Sequence, residues 1–450
     1  MKFVQTLKNI WTIQELRQRL TITVLLVLVY RLGCYVVLPG INPADLEALT
    51  NFTNKTGLMQ LLDMFSGGAF SQASIFALGI MPYITASIVI QLAGMVLPSF
   101  QKMQREGESG RQKLNQYTRY LTVLILLVQG PAYLYNLKAQ IVNAGGSSDM
   151  GFWMVAFLTV ILAAGSMFIM WLGERITDRG IGNGISFIIL VGIIARLPGA
   201  IFYEFTSRLP GASGSEGGLV MFIVELLLLF AVTVGAVLLV QGTRKVPVQY
   251  AKRIVGNRQY GGARQYIPLK VNAAGVMPII FAQAIMFIPI TLAGFGTNEG
   301  SSGFFRTFAD VNGFWYNLVY FVMIVAFTYF YTAITVRPTD MAEQLKRNNG
   351  FIPGVKPGKK TAEYLDQIMS RITLPGSLFL GVVAILPAFA RVFGISQNFA
   401  QFFGGTSLLI LVGVVLDTLT QIESHLMMHH YDGLMKEGKI KGRTTGSMAY

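Results

Sequence analysis

Ten apolar stretches, each close to the length that crosses a hydrocarbon core, constrain this 450-residue chain more than any other feature. A core of about 30 Å takes roughly 20 apolar residues as a helix. The stretches are 20–38, 74–97, 120–137, 152–172, 185–202, 219–240, 271–293, 315–336, 373–390 and 405–422. The fifth is expected to be the weakest, because Gly192 interrupts it and Leu197-Pro198-Gly199 shortens it. Charged residues make up 13% of the chain and the mean hydropathy is +0.53, against about 25% charged in soluble domains. A water-soluble, disordered, collagen-like or disulfide-framed protein is excluded, and the reading is an all-α polytopic membrane protein. Residues 1–19 are polar and amphipathic, so no cleavable signal is expected.

The basic residues carry the orientation. Of 36 Lys and Arg, 29 fall in the termini and alternate loops, 6 on the other side, and Arg31 lies inside the first span. That bias predicts a cytoplasmic location for the rich side and for both termini. Loops 242–270 and 337–371 hold seven basic residues each. The first has no acid and interleaves Tyr250, Tyr260 and Tyr266, a pattern that suits RNA and anionic lipid headgroups equally. The second adds Asp340, Glu343, Glu363 and Asp366, and its Pro353-Gly354 and Pro357-Gly358 punctuation predicts an ordered, hairpin-like projection. Two such arms fit a docking surface for a large cytosolic partner.

Enzyme chemistry finds no foothold. His425 and His429 stand four apart without a third good ligand, which reads as a helix end at the interface rather than a metal site. The glycines of Gly180-Ile181-Gly182-Asn183-Gly184 join two spans, not a strand and a helix, so they do not form a nucleotide loop. Arg31 and Glu225 lie near outer span ends, where each can snorkel or pair, and Asp417 sits deeper in the tenth span. A secondary transporter would need a polar midplane pocket with coupled carboxylates. An insertase or scaffold would need no apolar ring. Residues 58–65 have helical apolar spacing over barely two turns before Ser66-Gly67-Gly68 breaks it. Such a segment either lies on the surface or folds back into the protein, and folding back implies a cavity.

Five runs then become diagnostic. Asp63-Met64-Phe65-Ser66-Gly67-Gly68-Ala69 with Ala73 to Ile84, Glu106-Gly107-Glu108-Ser109-Gly110-Arg111, Gly180 to Ser186, Pro268-Leu269-Lys270-Val271-Asn272, and Phe403 to Ile410 closely resemble the SecY family. That family forms the channel subunits of the bacterial protein translocase, and the runs are spread over most of the chain.

The resemblance implies ten helices in two pseudo-symmetric halves of five around a central pore, with no catalytic residue, cofactor or metal. The halves would be 20–202 (spans 1–5, plug about 58–74) and 203–425 (spans 6–10). Segments 1–19 and 426–450 would be a cytoplasmic N-terminal amphipathic segment and a cytoplasmic C-terminal tail. Carried over residue by residue, the pore ring is Ile80, Ile84, Ile185, Ile189, Ile280 and Ile410. Ile80/Ile84 and Ile185/Ile189 are each four apart and share a helix face. The plug includes Leu61, Met64, Phe65, Ser66, Gly67 and Gly68. The lateral gate takes Thr85, Gln129, Asn272 and Ile288. Partner docking falls to Lys252, Arg253, Arg258 and Lys356; in much of the family an arginine stands where this chain has Lys356, and lysine lacks its planar fork. The implied partners are SecE-like and SecG-like small membrane subunits, the SecA motor ATPase, a translating ribosome (with a ribosomal RNA contact through 242–270), preprotein signal sequences and membrane lipid. The implied activity is a passive protein-conducting channel of the bacterial cytoplasmic (inner) membrane, which passes unfolded preproteins and releases hydrophobic segments sideways.

Overall fold

The computed structural model describes residues 13–41, 63–143, 151–209, 218–250, 253–255, 258–260, 264–283, 285–286 and 313–436. Its helices are α1 (Gln14–Gly33), α2 (Met81–Val96), α3 (Pro98–Arg105), α4 (Glu108–Asn143), α5 (Phe152–Arg179), α6 (Gly184–Ser207) and α7 (Gly218–Gln241). After a strand-rich segment come α8 (Phe314–Thr335), α9 (Pro338–Arg347), α10 (Lys359–Val392), α11 (Gln397–Ala400) and α12 (Gly405–Lys436).

Among the described residues, seven helices are long and apolar enough to cross a membrane: α4, α5, α6, α7, α8 (running on into α9), α10 and α12. They match seven of the ten expected spans. The second expected span, 74–97, holds α2, which is followed by α3 across a bend of 102°. Leu97 at the joint is extended and Pro98 opens α3, because the residue before a proline is pushed out of the helical region. The seventh is described only to residue 286, with 277–283 helical.

Three boundaries differ from expectation. The first helix ends at Gly33, not 38, because residues 36–38 bond to 73–75 instead: Leu38 N donates to Ala73 O and Ile75 N to Val36 O, both at 2.9 Å. Ser74 accordingly bridges Val37, residues 75–80 are turns, and α2 starts at Met81. Gly79 there has φ +57°, a conformation glycine adopts without strain. Lastly, α6 runs straight through Pro198 to Ser207. A proline removes one helical bond without ending a helix that has no alternative partners in lipid, and Pro131, Pro375 and Pro387 lie inside α4 and α10 in the same way.

The contacts divide the chain into two units: 1–51, 62–193 and 414–450, and 52–61 with 194–413. In the first unit α4 packs along α5 and α2, and α1 packs on α5. Small residues let backbones approach: a Cβ at Gly165 would overlap the Ile75 carbonyl, and one at Gly130 would meet the Thr159 side chain.

In the second unit α8 packs along α10, and residues 401–403 pack against α7 and α10. The two basic loops are one lobe rather than two arms. Strands β1 (Thr243–Tyr250), β2 (Arg253–Val255), β3 (Arg258–Tyr260) and β4 (Arg264–Lys270) form hairpins, and β5 (Gly350–Phe351) from the second loop adds to β1. Thr243 pairs with Lys270, Gln249 with both Arg264 and Phe351. Val246, Val248 and Leu269 from the sheet, Leu345 from α9, Ile352, and Leu365, Ile368, Met369 and Ile372 from α10 share one apolar core.

Candidate functional site

Residues 63–70 are buried in the first unit, so this part of the irregular segment folds back into the protein rather than lying on the surface. Residues 63–65 make a helical turn, then Gly67 and Gly68 take φ +67° and +96°. Asp63 closes the loop: its carbonyl accepts from Gly68 N at 2.8 Å, and its Oδ1 accepts from Ser71 N at 2.7 Å. Ser66 Oγ donates to Asp63 O and accepts from Phe70 N, both at 3.1 Å.

Side chains of two spans seize the loop's backbone. Tyr30 Oη donates to Ser66 O at 3.1 Å, and Arg31 Nη1 to Gly67 O at 2.8 Å. Tyr133 Oη on α4 donates to Phe70 O at 3.0 Å, its ring 4.9 Å from that of Phe70. On α6, Gly192 leaves room for the loop; a Cβ there would sit 3.1 Å from Phe65 O and 3.2 Å from Gly67 N. Arg31, expected to snorkel or pair, finds its partner 36 residues away, a separation no local pattern encodes. Met64, Phe65, Ser66, Gly67 and Gly68 all belong to this buried loop. Leu61 lies outside the described residues.

Of the expected ring, Ile80, Ile84, Ile185 and Ile189 fall in the first unit, and Ile280 and Ile410 in the second. Ile80, Ile189 and Ile410 are covered (2%, 4% and 3% exposed), while Ile84, Ile185 and Ile280 are half-buried. Ile84 N bonds to Ile80 O across the first turn of α2. Ile185 and Ile189 lie in the first two turns of α6, and a Cβ on Gly173 of α5 would come within 3.1 Å of Ile185.

Of the expected gate residues, Thr85 and Gln129 fall in the first unit and Asn272 in the second. Thr85 Oγ1 donates to Met81 O of its own helix at 3.0 Å. Gln129 is half-buried on α4. Asn272 donates to Gly275 O at 3.1 Å, and its Oδ1 is buried with no hydrogen-bond partner among the described residues. Ile288 and Lys252 lie outside the described residues. Arg253 and Arg258 sit on β2 and β3, opposite Tyr260 and Val255 respectively. Lys356 is exposed in the turn between β5 and α10, where its carbonyl accepts from Thr361 Oγ1 at 3.0 Å.

A further cluster escaped the sequence reading in part. Arg208 Nε donates to Glu204 Oε1 at 3.2 Å, and its Nη2 donates to Glu225 Oε1 at 2.8 Å and Gly394 O at 2.9 Å. Ser396 N donates to the other Glu204 oxygen at 3.2 Å. Glu225 was the legible member; Glu204 and Arg208 belong to a polar span end without periodic signal. Asp417, expected deep in its span, is exposed on α12 and accepts from Gln421 Nε2 at 3.3 Å.

A model of the SecY family matches residues 74–419. The chain belongs to the SecY family. The protein translocase subunit SecY of Pseudomonas aeruginosa is 43% identical over 440 residues, with 97% of each chain covered. That of Thermotoga maritima is 41% identical over 448 residues, covering 98% of this chain and 99% of its own. That of Streptomyces coelicolor is 41% identical over 436, covering 94% and 97%. Among solved structures, one described as the structure of a protein conducting channel superposes with a TM-score of 0.62 at 17% identity, covering 91% of this chain and 92% of that one. Sec61 in a canine ribosome-channel complex gives 0.59 at 16% identity over the same shares. These likenesses show the SecY fold. As a member of the SecY family of translocase channel subunits, the chain is a multi-pass membrane protein.

Proposed function

We propose that this SecY-family channel passes unfolded preproteins across the bacterial cytoplasmic membrane, with both termini cytoplasmic, and releases hydrophobic segments sideways into lipid. Ile80, Ile84, Ile185, Ile189, Ile280 and Ile410 form its constriction. A narrow ring of branched apolar side chains dewets when empty and moulds around a threading chain, so ions are held back while a polypeptide passes. The loop around Ser66 is the plug, which seals the resting channel and swings aside. Thr85, Gln129 and Asn272 are the polar latch of the side exit, where interhelical hydrogen bonds of about 0.6–2 kcal/mol are weak enough to break for a signal sequence. The Asn272 Oδ1, buried without a partner among the described residues, supports this, because a buried acceptor gains from a donor that a moving helix brings.

SecE-like and SecG-like subunits complete the channel in the membrane. A SecA motor or a ribosome supplies the energy, docking on the basic lobe through Lys252, Arg253, Arg258 and Lys356. The observation that carries the reading is the full-length match to translocase subunits. To test it, photoreactive side chains are placed at Ile84, Ile189, Ile280 and Ile410, and at the exposed Phe230 of α7. A preprotein arrested in transit should crosslink to the four isoleucine positions and not to position 230. Equal yields at all five would remove the isoleucines from the path.

A further inference from the structure

The family reading assigns a plug but names nothing that holds it. Two adjacent residues of α1 grip two adjacent carbonyls of the loop: Tyr30 takes Ser66 O and Arg31 takes Gly67 O. The two grips differ in kind. Tyr30 is buried and neutral, and its bond is 3.1 Å. The Arg31 bond is shorter, 2.8 Å, and charge-assisted, which makes it about twice as strong as a neutral one.

Arg31 lies in the last turn of α1 and is half-buried. Ionised side chains inside spans are rare and mark function by default. Among the described residues Arg31 makes no ion pair. Its named partners are the Gly67 carbonyl, the Tyr35 hydroxyl at 3.4 Å and the Tyr35 ring, 5.7 Å from the guanidinium carbon. Tyr35 is 61% exposed, so it steers the guanidinium without burying it. The receiving carbonyl belongs to a glycine in a crowded, left-handed conformation that other residues adopt only with strain. Gly67 has φ +67°, and a Cβ on it would lie 2.8 Å from Arg31 Nη1 and 2.9 Å from Gly192 Cα. The loop backbone is thus clasped between a glycine of α6 and an arginine of α1.

Resting on the channel reading above, we propose that Arg31 is the positioning residue that latches the plug in its seat, through its hydrogen bond to the Gly67 carbonyl. The latch is reversible by construction. When the plug leaves, the guanidinium turns to water or to carbonyls of the passing chain, so the group that holds the seated state adds little resistance once the pore is wet. An apolar contact at the same place would lack that second partner.

The test is the current through purified complex in planar bilayers with no substrate. Arg31→Met keeps an unbranched chain and removes every donor. It should raise the open time on the order of ten- to a hundredfold, as loss of a hydrogen bond to a charged group does. Arg31→Lys keeps a charge and a donor and should restore most of the closure, and Tyr35→Phe should leak slightly. An Arg31→Met complex that assembles, exports preprotein and stays as silent as wild type would overturn the latch. So would a lysine variant no quieter than methionine. Should the methionine variant fail to assemble, a Tyr35→Phe complex as silent as wild type overturns it instead. The Ile84→Asn/Ile189→Asn double variant separates the two readings. If it leaks while Arg31→Met is silent, the latch is wrong and the channel stands; if both are silent, the channel reading itself fails.

Discussion

Arg208 holds two carboxylates, a backbone carbonyl and, through Glu204, the Ser396 amide, all out of water. Its side chain is 6% exposed and those of Glu204 and Glu225 are 1% exposed. Buried charges are tolerated only when paired and hydrogen-bonded, and removing one partner strands the others. The cluster ties α6, α7 and the turn after α10 together, so it braces the ends of three helices in the second unit. Arg208→Met should therefore destabilise this unit by about 3–5 kcal/mol, read as a lower unfolding temperature in detergent. Arg208→Met/Glu225→Gln should recover part of that loss, because one stranded charge is then neutral. A single variant as stable as wild type would mean that water already reaches the carboxylates. Of this cluster only Glu225 was legible in the sequence, as a charge inside an apolar run; its partners came from a span end and a distant turn.

At the scale of elements, the lobe shows where hydropathy stops informing. Alternating Val246 and Val248 is a two-residue strand signal, and Pro247 between them argues against a central strand. The proline is tolerated because β5 pairs only with Gln249 and Tyr250, beyond its missing N–H. The pairing partner lies a hundred residues on, so composition shows two basic loops and not their shared core. The same limit applies to α2, whose start depends on the turns at Ala73 and Gly79 rather than on apolarity. The lobe separates stability from docking. Leu345→Ala removes a core side chain and should cost about 2–5 kcal/mol locally, seen as faster hydrogen exchange in β1 and β4 than in α5. Lys356→Glu reverses an exposed charge and should leave that exchange unchanged while lowering motor-dependent export strongly. Unchanged export by the glutamate variant would place the docking contact elsewhere.

For the whole molecule, long apolar helices were readable because lipid forces every backbone group to be satisfied within its own segment. The residues proposed to form the ring are readable only through family likeness, since isoleucine is common in any span and a ring has no sequence period. The loop proposed as the plug is half legible: its glycine break shows a fold-back or surface segment, but Tyr30, Arg31 and Tyr133 lie far away in the chain. The central claim is that dryness at the isoleucine positions holds back ions. Its most direct test is single-channel current from the Ile84→Asn/Ile189→Asn complex beside wild type and an Ile84→Leu/Ile189→Leu control. Asparagine offers donors and acceptors that water can use, so the resting channel should conduct. Leucine, apolar and of similar volume, should leave it silent. A well-folded asparagine variant that assembles with its partners and carries no current would contradict the account.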